Sequence, residues 1–128
     1  MRYLTANQIL LIHSALIDEI GGTHGVRDRH AVLSVENAPQ QTFEGKELYP
    51  TPFDKAAVYA RNIIMHHPFI DGNKRTGMTA AAVFLENNDY KVIAKRGEIE
   101  HCALKIINRK FDIPAIAAWF KNHSQKSK

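Results

Sequence analysis

The chain has 128 residues, of which 45% are apolar and 23% charged, and it carries a formal net charge of +4. This length supports one domain with a real core, the composition excludes a disordered chain, and the mild basic excess favours anionic partners without establishing DNA binding. The single cysteine, Cys102, excludes an internal disulfide. No apolar run reaches the ~18 residues of a membrane span and the N-terminus is not of signal-peptide type, so a cytoplasmic protein with no membrane partner is expected.

Thr5 caps a helix predicted over residues 6–20, with Ile9, Ile12, Leu16 and Ile20 as its apolar stripe, and Gly21-Gly22 stops it. His13 lies near that stripe and reads as a satisfied core residue rather than a ligand. Asp28 caps a short helix over residues 29–38, which Pro39 ends. Residues 40–49 place a turn signal, Glu44-Gly45, between two short polar arms, the pattern of a small hairpin or flap. Thr51 followed by Pro52 is a cap plus a first-turn proline, opening a helix from about Phe53 to His66; Pro68 forces its end.

The next helix starts inside the turn Gly72 to Thr76 and runs to about Asn88. Its centre, Thr79 to Leu85, is apolar nearly all round, as suits a central helix. Tyr90 to Ala94 reads as a brief extended stretch. A helix from about Gly97 to Lys110 sets Cys102 among Ile99, Ala103, Ile106 and Ile107, the surroundings of a packing thiol rather than a nucleophile. Asp112 and Pro114 begin a last helix through about Lys121, and residues 121–128 read as a frayed basic tail. Two short extended arms do not make a sheet, so the fold class is all-α: one domain, 1–128, with a central apolar helix and a short flap.

The run His67-Pro68-Phe69-Ile70-Asp71-Gly72-Asn73-Lys74-Arg75-Thr76 carries the chemistry. An imidazole can accept a proton at neutral pH, which makes His67 a candidate base, with His66 as its competitor. At least one of Phe69 and Ile70 anchors the turn in the core, because a catalytic loop must be rigid. Asp71 is either a hard oxygen ligand for Mg²⁺ or a helix cap. Gly72 lets the backbone turn tightly, and the N–H groups of residues 72–75 can form an anion-binding nest at a helix N-terminus. Asn73 can bond phosphate or hold the loop closed; Arg75 offers a bidentate fork and Lys74 a mobile charge. Two cations in the first turn oppose the helix dipole, a local conflict that an anion bound there would relieve. The glycine spacing is not that of a Walker A loop, and no Cys/His zinc pattern exists.

These residues resemble the Fic/Doc (Fido) family, most closely its death-on-curing branch. The family motif, His-x-Phe-x-Asp/Glu-Gly-Asn followed by basic residues, is matched by His67, Phe69, Asp71, Gly72, Asn73 and Arg75. Gly25-Val26-Arg27-Asp28-Arg29, Gln41-Thr42-Phe43-Glu44-Gly45 and Lys55-Ala56-Ala57 also look like death-on-curing sequences, so the likeness covers most of the chain. Adenylylating members carry Gly directly after the motif Asn and a second Arg three residues after the first; here those positions are Lys74 and Met78. The Asn-Lys-Arg form resembles death-on-curing toxins, which transfer the γ-phosphate of ATP.

The resemblance implies a toxin of a toxin-antitoxin system: a kinase phosphorylating a threonine of elongation factor Tu and arresting translation. By that likeness His67 deprotonates the hydroxyl, Asp71 holds Mg²⁺, and Gly72, Asn73, Lys74 and Arg75 bind the phosphates of ATP. Thr42, Phe43, Glu44 and Gly45 clamp the target peptide by main-chain pairing. The inhibitory pattern Ser/Thr-x-x-x-Glu-Gly/Asn of some members is missing, since Val32, Gln40 and Ala82 stand four residues before the candidate glutamates. Control then falls to a cognate antitoxin in trans. The alternatives are an AMP transferase on the same scaffold and a non-catalytic module binding nucleic acid or another anion. No specific nucleic-acid partner is expected.

Overall fold

Capping chemistry decides where most of the helices begin. In the computed structural model, which describes residues 1–127, Thr5 opens α1 (Ala6–Ile20) and Thr51 opens α3 (Pro52–His66), each through a reciprocal capping box. Asp28 caps α2 (Arg29–Asn37) and Asp112 caps α6 (Ile113–Asn122). The two other helices are α4 (Asn73–Asn87) and α5 (Arg96–Ile107). Pro39 ends α2 in a single 3₁₀ turn, Ala38–Gln40. The expected all-α architecture is found, with helix ends displaced from the expected ones by at most three residues.

Helix α3 shares the centre with α4. The two pack along their lengths, and α6, α2 and α5 also lie against α3. Ala56, Ala57, Tyr59, Ala60, Ile63 and Ile64 of α3 meet Ala80, Ala81, Phe84 and Leu85 of α4 in one core. Gly77 permits the close approach: a Cβ there would lie 2.8 Å from Ile64 Cγ1 and 3.0 Å from the Ala60 carbonyl oxygen. Gly77→Val is therefore expected to cost about 1–3 kcal/mol by overpacking, read as a lower urea midpoint with an unchanged slope. The Tyr59 hydroxyl accepts the Leu4 N–H at 2.9 Å, and burial pushes its pKa up to about 12. Cys102 is buried, as expected, and its surroundings push the thiol up to about 12, which makes it unreactive.

Among the described residues four short strands form two antiparallel ribbons. β1 (Thr42–Phe43) and β2 (Lys46–Glu47) make the expected hairpin, with Thr42 opposite Glu47 and Phe43 opposite Lys46. β3 (Tyr90–Val92) pairs with β4 (Ser124–Lys126), Tyr90 facing Lys126. This corrects the expected frayed tail at 121–128. Lys121 and Asn122 complete α6, and the following residues are held by β3 and by the Ser127 N–H bond to the Asp89 carbonyl. Lys128 lies outside the described residues.

A second correction concerns α1. Its buried residues are Ala6, Ile9, His13 and Ile17, spaced by three or four, whereas Ile12 and Leu16 are half-buried and Ile20 is exposed. The stripe is rotated from the expected one because an imidazole occupies a core position. No helix among the described residues is long and apolar enough to cross a membrane.

Candidate active site

Proline at position 68 stops α3, and His67 takes the C-cap in a left-handed conformation, φ 49° and ψ 58°. A non-glycine residue there costs roughly 1–2 kcal/mol. The imidazole is exposed, with Nδ1 3.4 Å from the Met65 carbonyl. This long contact favours the Nδ1–H tautomer and leaves the Nε2 lone pair free to accept a proton. His66, the last helical residue, is exposed as well.

From His67 the chain descends into the protein and returns. Phe69 is the core anchor, while Ile70 is exposed. The Phe69 ring stacks on His13, centroids 3.8 Å apart and planes 4° from parallel. His13 is the satisfied core residue that was expected, and it also holds the loop: its Nε2 lies 2.8 Å from the Asp71 carbonyl oxygen, to which it donates. The four-residue spacing of Ile9, His13 and Ile17 fits its core position, whereas its contact with the loop carries no local sequence signal. Asn73 closes the loop. Its buried amide accepts the Phe69 N–H at 3.0 Å and donates to the Phe69 carbonyl at 2.9 Å. Of the two roles open to Asn73, the geometry supplies the structural one.

A strap formed by residues 25–28 holds the loop from outside. Val26 bridges Phe69, Ile70 N–H bonds the Gly25 carbonyl, and the N–H groups of Arg27 and Asp28 both reach the Pro68 carbonyl. The Arg27 guanidinium also donates to the carbonyls of His66 and His67, each at 2.6 Å.

Asp71 is exposed, and its carboxylate accepts Thr23 N–H at 3.1 Å and Gly72 N–H at 2.9 Å, one on each oxygen. Gly22 makes room for it, since a Cβ there would lie 2.7 Å from Asp71 Oδ2. Each oxygen retains a lone pair. Among the described residues no three His, Cys, Asp or Glu side chains converge on one point. The donor set therefore fits an ion that takes a single carboxylate and draws its remaining ligands from water and phosphate, the habit of Mg²⁺.

Gly72 then turns the chain at φ 79° and opens α4 with no side-chain cap. Its own N–H is taken by Asp71, so the nest expected over 72–75 narrows to the N–H groups of Asn73, Lys74 and Arg75, while Thr76 N–H makes the first helical bond to Gly72. Lys74 and Arg75 are exposed, and neither is paired with a carboxylate among the described residues. Among the described residues, three open amides, two cations without a carboxylate partner and the positive end of a helix share one turn, a combination with the chemistry to attract an anion. The neighbouring Thr76 is wholly buried with its hydroxyl unpartnered. Met78, by contrast, is only 4% exposed and packs in the core. His67, Asp71, Lys74 and Arg75 are all exposed, so the site is an open shelf; two surface clefts of about 360 and 520 Å³ are lined by other residues.

The hairpin turns through Glu44 (φ 51°) and Gly45 (φ 79°), two consecutive left-handed residues that suit a two-residue turn. Thr42, Phe43, Glu44 and Gly45 are all exposed, Phe43 at 66%. Lys55 anchors the hairpin from below. It is 1% exposed, and its ammonium donates to Glu47 Oε1 at 2.9 Å and to the Tyr49 carbonyl.

A model of the Fic/DOC family matches residues 3–85. Toxin Doc of Mycolicibacterium smegmatis is 34% identical over 100 residues, 77% of each chain. Protein kinase doc of Escherichia phage P1 is 28% identical over 92 residues, 72% of each chain.

Proposed function

Because this chain belongs to the Fic/DOC family, we propose that it is a toxin-type enzyme, a protein kinase that transfers the γ-phosphate of ATP to a Thr or Ser hydroxyl of a translation factor. The acceptor is elongation factor Tu, and the consequence is arrested translation in the cytoplasm. The observation that carries this reading is the uncapped first turn of α4, with unpaired Lys74 and Arg75, six and more residues along one rigid loop from an exposed histidine. The names of the two relatives, Toxin Doc and Protein kinase doc, agree with it.

His67 Nε2 takes the proton of the acceptor hydroxyl as its oxygen bonds the γ-phosphorus; the bond from that phosphorus to the β,γ-bridging oxygen breaks, and ADP leaves. The amides of residues 73–75, with Lys74 and Arg75, hold the phosphates and neutralise charge where it develops. Positioning and electrostatics are most of what phosphoryl transfer requires. Asp71 would hold Mg²⁺, which when bound would supply further charge neutralisation. The edge of the Thr42–Glu47 hairpin pairs with the target peptide by main-chain bonds. A cognate antitoxin restrains the enzyme in trans, as the missing inhibitory pattern favours.

AMP transfer is the second reading. Two observations weigh against it: Lys74 stands where that chemistry uses glycine, and Met78 points into the core, where a second cation has no place. ATP labelled separately at the α- and γ-phosphates distinguishes the two. Label from the γ position is expected on elongation factor Tu; label from the α position on any protein acceptor overturns the kinase reading. A third reading, a nucleic-acid module, would show strongly salt-dependent binding to random-sequence DNA.

A further inference from the structure

We propose that Arg27 is a positioning residue for the reaction, holding His67 in its left-handed backbone conformation by gripping the end of α3; the inference rests on the phosphotransfer reading given above. The last carbonyls of a helix need donors, and a left-handed cap residue often brings backbone N–H groups back to meet them. In α1 the Gly21 N–H does this, bonding the Ile17 carbonyl at 2.8 Å. Among the described residues the N–H of the α3 cap, His67, makes no such bond, and the residue after it, Pro68, has no N–H to offer. The donors come from Arg27 instead: Nη2 to the His66 carbonyl and Nε to the His67 carbonyl, both at 2.6 Å. A cation at a helix C-terminus also complements the dipole.

A residue before proline is pushed toward extended backbone, and one with a side chain resists positive φ. His67 is subject to both pressures and still sits at φ 49°, ψ 58°. With its carbonyl released, it would relax toward an extended conformation and swing the imidazole away from the shelf. The carbonyl of the next residue, Pro68, is held by the backbone of Arg27 and Asp28, so the strap survives loss of the side chain. Arg27 is exposed, and truncating it opens no cavity. Its side chain therefore acts through the carbonyls of His66 and His67.

The test uses the full chain, γ-labelled ATP and purified elongation factor Tu, with His67→Ala as the inactive reference. Arg27→Met keeps the aliphatic stem and loses both donors. It is expected to lower kcat about 100-fold, the scale of a misplaced catalytic group, at a nearly constant KM for ATP. Arg27→Lys, a point charge that cannot fork across two carbonyls, is expected to restore about a tenth of the rate. The ¹³Cα and ¹³Cβ shifts of His67 should move toward extended values in Arg27→Met while the melting temperature holds. The proposal is overturned if those shifts stay at the wild-type values, if kcat remains within about threefold of wild type, or if only KM changes. Should the wild type transfer no label, the kinase reading falls by itself, and the His67 shifts alone decide whether Arg27 sets its backbone.

Discussion

Replacing His67 by alanine is expected to slow γ-phosphate transfer by about 100- to 10,000-fold, the contribution of a positioned general base. The side chain is exposed, so the melting temperature should stay near that of the wild type. Asparagine is the more informative partner variant. It tolerates the left-handed conformation found at this position and so keeps the backbone of the cap, but it cannot accept a proton near neutrality. Equal losses in the two variants would assign the effect to proton transfer rather than to loop geometry. An asparagine variant within about tenfold of wild type would remove His67 from the chemistry. The same assay on His66→Ala separates the neighbours: collapse there, with His67 dispensable, moves the base back by one residue.

Asn73→Ala is expected to have the largest effect on stability. Its amide is the partner of both main-chain polar groups of Phe69, and the site is buried. Truncation leaves an N–H and a C=O unsatisfied at about 1–3 kcal/mol each, so a loss of about 2–6 kcal/mol is expected from urea unfolding. Activity should fall as well, because the loop that Asn73 closes presents both Asp71 and the open amides of α4. A loss under about 0.5 kcal/mol would mean that water or a rearranged loop satisfies Phe69, and that Asn73 is free to contact phosphate.

The parts of the fold written in local chemistry were legible in the sequence. Thr5, Asp28, Thr51 and Asp112 announce helix starts through a side chain and an amide three residues away. Glu44-Gly45 announces a hairpin because few dipeptides accept two left-handed residues. The candidate loop was legible too, since base, carboxylate, glycine and cations are adjacent in the chain. Contacts made across long sequence separations were not legible. The pairing of β4 with β3 spans more than thirty residues, and nothing in Ser124-Gln125-Lys126 alone marks a strand. His13 meets Asp71 across 58 residues, and Arg27 meets His67 across 40. These groups organise the loop, but each looks ordinary in its own neighbourhood.

The buried ammonium of Lys55 has a practical consequence. Among the described lysines it alone is enclosed, and two of its partners, Glu47 and the Tyr49 carbonyl, belong to the hairpin and the segment just after it. An amine-modifying reagent can reach it only while that segment lifts away. Its acylation rate thus serves as an internal clock for how often the ribbon opens, readable by mass spectrometry with neither nucleotide nor acceptor present.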